Sequence, residues 1–323
     1  MKCIVTGGAG FIGSHLVDRL VNDGHEVQVW DSLISGDRYN VNSKAQLVEC
    51  DITGNYEARK VLMSEFNPDV VFHLAAMPRV QPSIEDPIKY HNANVNGTLN
   101  MLNLCVECGV KKFVFSSSSS VYGDVEQKDL PTTEESKLNP MSPYALHKLI
   151  GEQYCKLYSH LYGLETVSLR YFNVYGERQP TEGAYCLVMG VFAGQLLEGK
   201  SMTVNGDGEQ RRDFTFVGDV VDANVKCATA ETKWNGDVFN IGAGNNYSVN
   251  DVANLLGGDR VHRDPVIEPR ETLAENSKVS SVLGWKSTTT LEEWIPKWKK
   301  VIGLENNIHV ENPIDKDRKR WAG

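Results

Sequence analysis

The chain has 323 residues, with 42 acidic against 33 basic side chains and a net charge of −9 at pH 7. That length suits one large domain or two of ordinary size, and an acidic balance with no long Lys/Arg tract excludes a phosphate-backbone footprint, so no nucleic-acid partner is expected. No apolar run approaches the roughly 18 to 20 residues of a membrane span, and a strand pattern from Lys2 leaves no room for a leader, so a cytoplasmic protein without a membrane partner is expected.

Short apolar runs alternate with longer helical patterns. In chain order they are the strand KCIVT, a helix over 11–23, the strands HEVQVW and AQLVEC, a helix over 56–66, the strand DVVFHLA, a helix over 94–108, the strand KKFVFSS, a helix over 143–162 and the strand LETVSLRYF. Ser142 is placed to cap the 143–162 helix, with Pro143 at its first position. This alternation predicts an α/β fold, a doubly wound parallel sheet with helices on both faces. After Phe172 the pattern loosens into glycine-rich and polar loops, with helices expected near 187–197, 219–230 and 248–256. Residues 1–172, rejoined by about 214–243, are expected to form the larger domain, and 173–323 a smaller C-terminal α/β lobe packed against it. The charged, weakly periodic end, ENNIHVENPIDKDRKRWAG, reads as a surface-docked or mobile tail. Seven scattered cysteines do not form a disulfide framework in a chain this long. Cys105 and Cys108 make one CxxC without a second pair or a histidine cluster, so structural thiols and no metal site are expected.

Glycines at 7, 10 and 13 follow the first strand directly. Gly7 permits a tight turn, Gly10 lets backbone approach a pyrophosphate, and Gly13 lets the helix pack closely on the sheet, while the helix N-terminus offers amides to phosphates. An acid, Asp31, ends the second strand, where a carboxylate accepts from a ribose 2′-OH and repels a 2′-phosphate. The larger domain is therefore expected to be of the dinucleotide-binding (Rossmann) type and to hold NAD rather than NADP. Asp51, closing the third strand, is placed to reach the adenine end.

Tyr144 and Lys148 stand four residues apart in SPYALHK, about one helical turn, so both leave one face of the helix. Unperturbed tyrosine ionises near about pH 10, so a tyrosine base at neutral pH needs neighbouring positive charge, and Lys148 is the natural supplier. The serine run from Ser116 follows the strand KKFVF and precedes VYG. This puts hydroxyls at the carboxyl edge of a central strand, where ligands bind in such folds and where alcohol/ketone interconversion needs groups that donate and accept.

These motifs resemble the extended short-chain dehydrogenase/reductases, and within them the NAD-dependent nucleotide-sugar epimerases and dehydratases, closest to the UDP-hexose 4-epimerases. The match runs through TGGAGFIGSHL, Asp31, the DI at Asp51, HLAA at 73–76, NVNGT at 94–98, SSSSSVYG at 116–123, YALHK, RYFNVYG at 170–176 and GDGEQRRDFTFV at 206–217. The resemblance implies Ser118 as the group bonding the reacting hydroxyl, Tyr144 as base and Lys148 as the nicotinamide-ribose contact. It implies Asn173, Arg212 and Arg270 as contacts to the nucleotide diphosphate, with Ser119 and Ser120 beside the substrate. Phe11 and Ile12 read alone as core residues. The resemblance adds them to the cofactor-facing set with Ile52, Leu74, Ala75, Ala76, Asn94 and Ser116. It also implies a homodimer through the helices beginning at Asn94 and Pro143.

The family's dehydratases follow the Ser118 position with Asp-Glu, where this chain has Ser119 and Ser120. Its UDP-glucuronate decarboxylases carry Glu at the position of Ser120, and its glucuronate 4-epimerases usually have Thr at the position of Asn173. The resemblance therefore implies 4-epimerisation of a UDP-hexose through a transient 4-keto sugar. Another nucleotide-sugar reaction and a non-catalytic NAD sensor are the alternatives. Relative to the family, the segment after Arg270 is shortened. Thr272 then falls where relatives carry the side chain limiting room for a 2-acetamido group, so N-acetylated sugars are expected to fit.

Overall fold

The computed structural model describes residues 1–180, 187–266 and 268–304. Its strands are β1 Lys2–Thr6, β2 Glu26–Asp31, β3 Gln46–Glu49, β4 Val70–His73, β5 Lys112–Ser118, β6 Glu165–Tyr171, β7 Val174–Tyr175, β8 Met202–Asn205, β9 Arg211–Asp213, β10 Thr215–Phe216, β11 Asp237–Ile241, β12 Asn246–Ser248 and β13 Arg260–Arg263. The α-helices are α1 Phe11–Asn22, α2 Tyr56–Phe66, α3 Val80–Glu85, α4 Pro87–His91, α5 Gly97–Glu107, α6 Pro143–Tyr162, α7 Val188–Leu197, α8 Val217–Thr229, α9 Val249–Leu256, α10 Ser277–Leu283 and α11 Leu291–Val301.

Seven strands form one parallel sheet in the order β11-β6-β5-β4-β1-β2-β3. Its central strands β1 and β4 are apolar along almost their whole length because helices cover both faces. In β1 the alternation of side chains sends Cys3 and Val5 into a core shared with α1 and α8, and Ile4 into a core shared with α5 and α6. The chain winds outward from β1 through β2 and β3, then returns to the other side of β1 and winds outward through β4, β5 and β6. The order reverses between β1 and β4, and such a switch point leaves a crevice at the strands' carboxyl ends. Gly7 and Leu74 stand there. Buried His73 ties the two strand ends together, with Nδ1 2.8 Å from Thr6 Oγ1 and Nε2 3.0 Å from Thr98 Oγ1. Burial, and then the charge of Lys148, push this imidazole down to about 3, so it is neutral.

Helix α6 has the bounds its caps dictate. Ser142 Oγ accepts from Ala145 N at 3.1 Å, Pro143 starts the helix, and Gly163 ends it at φ 70°. The helix expected over 94–108 differs: Asn92–Asn96 form a π-turn and the α-helix proper begins at Gly97. The wider turn coincides with Asn94 clamping the backbone of Met77, accepting from its N–H at 2.7 Å and donating to its carbonyl at 2.9 Å. After β6 the chain leaves the sheet, β7 pairing separately with β10, and it returns through α8 and β11, which pairs with β6. The second lobe has its own core of α7, α9 and α11, including Phe192, Val252 and Trp294. The 305–323 tail and residues 181–186 of the loop after β7 lie outside the described residues.

Candidate active site

The glycine loop is shaped by what cannot fit. Gly7 has φ +70°, and a Cβ there would lie 2.7 Å from Ala75 N; a Cβ on Gly13 would lie 2.1 Å from Gly7 O. Gly10 is different: its nearest neighbour would be Gly7 O at 3.3 Å, and it caps α1 with no side-chain bond. The first amides of α1 therefore open onto a cradle walled by backbone, which suits a pyrophosphate. Asp31 is buried, its Oδ2 accepting from Ala9 N at 3.0 Å and its Oδ1 from Leu33 N at 2.8 Å. The carboxylate thus fixes the glycine loop and keeps lone pairs for a ribose hydroxyl. On the β4 side, Ala75 N donates to Thr6 Oγ1 at 3.2 Å and Leu74 N to Thr6 O at 3.1 Å, so Leu74 to Ala76 line the crevice as partly buried backbone.

Several residues expected to face the cofactor also have structural roles. The side chains of Phe11 and Ile12 pack against the core beneath α1. Asn94 holds the Met77 loop with both ends of its amide, so it supports the crevice wall. Asp51 is exposed and its Oδ1 closes on Thr53 N and Oγ1, both at 2.8 Å, while Ile52 is buried against the α5 core and abuts Gly97.

At the carboxyl end of β5, Ser118 Oγ caps the short 3₁₀ turn Ser119–Tyr122, accepting from Ser120 N at 3.2 Å and from Ser120 Oγ at 2.9 Å. It also acts on the Tyr144 phenol, so the two hydroxyls are brought together from two elements, β5 and α6. Burial raises the Tyr144 phenol above its ordinary value of 10, with the Ser118 bond and then the charge of Arg79 acting downward. The cation that favours the phenolate is thus Arg79, on the loop after β4, which the sequence pattern did not single out. Arg79 holds φ 107°, rare outside glycine. Ser83 of α3 accepts from Tyr144 N at 3.1 Å and pins α6 to this loop.

Lys148 does share the Tyr144 face, but its Nζ donates to Ser116 O at 2.6 Å and lies 5.9 Å from the Tyr144 ring centre. The ammonium expected near the phenol oxygen, or sharing a ligand with it, is thus also anchored to β5. Burial pushes the ammonium down to about 8, with Glu152 holding it up. Glu152, one turn further along α6, forms a buried pair with Arg170 of β6 (2.7 and 2.9 Å) and accepts from Ser117 Oγ. Arg170 also donates to Tyr122 Oη at 2.8 Å, whose hydroxyl donates to Asn240 Oδ1 at 2.6 Å. This network locks β5, β6, β11 and α6 beneath Ser118 and Tyr144. The spacing Tyr144, Lys148, Glu152 was a readable signal for it.

On the second lobe, Asn173 donates through Nδ2 to Asp213 O at 3.1 Å and is partly buried at the end of β6. Arg212 of β9 is nearby in sequence to Asp213, and its Nη2 donates to Glu268 Oε2 at 2.5 Å. Arg270 Nη1 and Nη2 form a two-point bond to Asp207 at 2.9 and 3.1 Å, both side chains being mostly exposed. Both arginines are therefore bonded to carboxylates of the chain itself. Their segments are joined, since Arg211 N donates to Arg270 O at 2.9 Å and Thr272 N to Arg211 O at 3.1 Å.

A phosphate loop at a switch point, facing a tyrosine–serine acid-base pair, defines an enzyme that works on a carbinol with a bound dinucleotide. The NAD dependent epimerase/dehydratase family matches residues 3–242, and the chain belongs to that family. The UDP-glucose 4-epimerase of Mycolicibacterium smegmatis is 38% identical over 315 residues, covering 92% of this chain and 97% of that protein. The crystal structure of UDP-glucose 4-epimerase with UDP-glucose from Thermotoga maritima superposes with a TM-score of 0.88 at 36% identity, covering 94% of this chain and all of that one. The UDP-N-acetylglucosamine 4-epimerase from Methanobrevibacter ruminantium in complex with UDP-N-acetylmuramic acid gives 0.85 at 32%, covering 93% and 98%.

Proposed function

We propose that this chain is an NAD-dependent UDP-hexose 4-epimerase. The observation that carries the reading is Ser118 and Tyr144 brought together at the carboxyl edge of β5, close enough for the Ser118 hydroxyl to favour the phenolate, with hydroxyls rather than carboxylates at Ser119 and Ser120. Such a site moves a proton on and off a sugar hydroxyl and offers no acid-base pair for expelling water from a neighbouring carbon.

The glycine loop of Gly7, Gly10 and Gly13 holds the pyrophosphate of the dinucleotide, Asp31 its adenosine ribose, and Lys148 the ribose at the reactive end. When bound, NAD supplies reversible hydride acceptance at C4 of the sugar. Ser118 bridges the 4-hydroxyl to Tyr144, whose ionised form takes the proton and later returns it. Arg79 favours the charged phenol during the transfer. For the ring to be re-reduced on its other face, the site must grip the nucleotide and leave the hexose free to turn. Asn173, Arg212 and Arg270 are assigned to the nucleotide diphosphate on that ground.

Thr272 is a small side chain beside β9, its Oγ1 accepting from Asp213 N at 3.3 Å. Its size supports acceptance of 2-acetamido sugars along with the plain hexoses. A cytoplasmic homodimer paired through α5 and α6 completes the reading. It is supported by the stripe of exposed Leu146, Leu157 and Leu161 along α6, and a monomer mass by light scattering at micromolar protein would rule the dimer out. The test of function is incubation with UDP-glucose, UDP-galactose and their N-acetylated counterparts, following anomeric protons by NMR and NADH by absorbance. Interconversion of 4-epimers without net NADH is expected. Steady NADH release, or no conversion of any of the four with NAD bound, would overturn the reading.

A further inference from the structure

Arg212 is an arginine that cannot stand alone. Its side chain is 13% exposed, and burial lowers its pKa from the ordinary arginine value while Glu268 holds it up. A guanidinium so desolvated needs an anion beside it. Its Nη1 is bonded to Arg211 O at 2.9 Å, and its Nη2 to Glu268 Oε2 at 2.5 Å. The other oxygen of Glu268 accepts from Gln210 Nε2 at 3.2 Å, so two side chains of the GEQRRDF segment hold one carboxylate. Asp124 adds to the negative potential around the same guanidinium.

We propose that Glu268 is an internal competitor for the substrate diphosphate, so that nucleotide binding at Arg212 is an exchange of one anion for another. The proposal rests on the assignment of Arg212 to the diphosphate. A carboxylate left against Arg212 would face the incoming phosphates as a like charge, so it has to withdraw. It has somewhere to go, because its side chain is 34% exposed. The backbone two residues on, at Arg270, is bonded to Arg211 of β9, so the withdrawal is a rotation of the Glu268 side chain and not a shift of the segment.

The Arg270–Asp207 pair looks similar and acts differently. At 62% and 59% exposure its partners are already solvated, and separating them changes little. Glu268 therefore limits nucleotide affinity and Asp207 does not.

The experiment is calorimetric titration of the NAD-bound enzyme with UDP and with uridine, for the wild type, Glu268→Gln, Asp207→Asn and Arg212→Met. The amide of the first variant keeps the shape and a hydrogen-bond acceptor for Arg212 while removing the competing charge. UDP should bind it about tenfold more tightly, the effect of one charge-assisted bond exchanged in a partly exposed setting. Uridine affinity should not change, and Asp207→Asn should match the wild type. If Arg212→Met weakens UDP binding but Glu268→Gln leaves it unchanged or weaker, Glu268 positions Arg212 and the competition is refuted while the diphosphate assignment stands. Equal tightening of UDP and uridine refutes it too, since that would be a general loosening of the cleft. If Arg212→Met binds UDP as the wild type does, the assignment itself is wrong and the proposal goes with it.

Discussion

Replacing Lys148 by methionine should separate what this side chain does for activity from what it does to the fold. The ammonium is buried, and burial takes its pKa from the ordinary 10.5 down to about 8. Each tenfold change in proton affinity corresponds to about 1.4 kcal/mol, so keeping the charge inside the protein at neutral pH opposes folding by about 3 kcal/mol. The bond to Ser116 O and the contact with the Phe115 ring at 5.1 Å offset part of that. Between about pH 8 and pH 10.5 the unfolded chain still holds the lysine proton and the folded chain has released it. Wild-type stability should therefore rise with pH through this window relative to Lys148→Met, by up to about 1.4 kcal/mol per pH unit, and the difference should be flat below it. Urea unfolding of both proteins at a series of pH values from about 7 to 10, without added nucleotide, measures that difference. A difference that stays constant, or that moves in favour of the variant as pH rises, would refute the argument from burial. Turnover of the variant should be lost at every pH.

Tyr144→Phe removes the proposed base alone, so turnover should fall by roughly 10²- to 10⁴-fold while NAD and UDP affinities stay within about twofold, as read by calorimetry. Gly13→Ala places a Cβ 2.1 Å from Gly7 O and 2.8 Å from Gly8 Cα, both backbone. The loop must open, so a loss of about 2 to 3 kcal/mol of stability and disappearance of the thermal shift on adding NAD are expected. Arg170→Met strands the buried Glu152 carboxylate, which should lower stability by about 3 to 5 kcal/mol. Adding Glu152→Gln should recover a substantial part of that loss in a double-mutant cycle; simple additivity of the two changes would argue against a coupled pair.

What could be read from the sequence was what local chemistry writes into it. The glycine spacing, the carboxylate ending β2, and the serine and proline at the start of α6 each constrain a few neighbouring residues, and the α/β fold follows from their alternation. The family is legible for the same reason, since its motifs are short and contiguous. What was not legible depends on partners distant in the chain. Helices α3 and α4 are short and proline-bearing, with a weak periodic signature, yet they bring Ser83 and Arg79 to Tyr144. The anchoring of Lys148 on β5, the clamp of Asn94 on Met77, and the carboxylates on Arg212 and Arg270 are all set by tertiary approach. Asp51 adds a local role that the sequence reading did not include: its carboxylate also closes a turn on Thr53.

Strand β11 completes the sheet against β6 although the whole passage from β7 through α8 intervenes in the chain. During synthesis, then, β6 emerges with one hydrogen-bonding edge unfilled and keeps it until residue 241 has left the ribosome. A bare parallel edge next to an apolar face is a template for pairing with other chains. The nascent protein is thus most vulnerable to aggregation over that interval, and slow translation across residues 172–236 would lengthen the exposure.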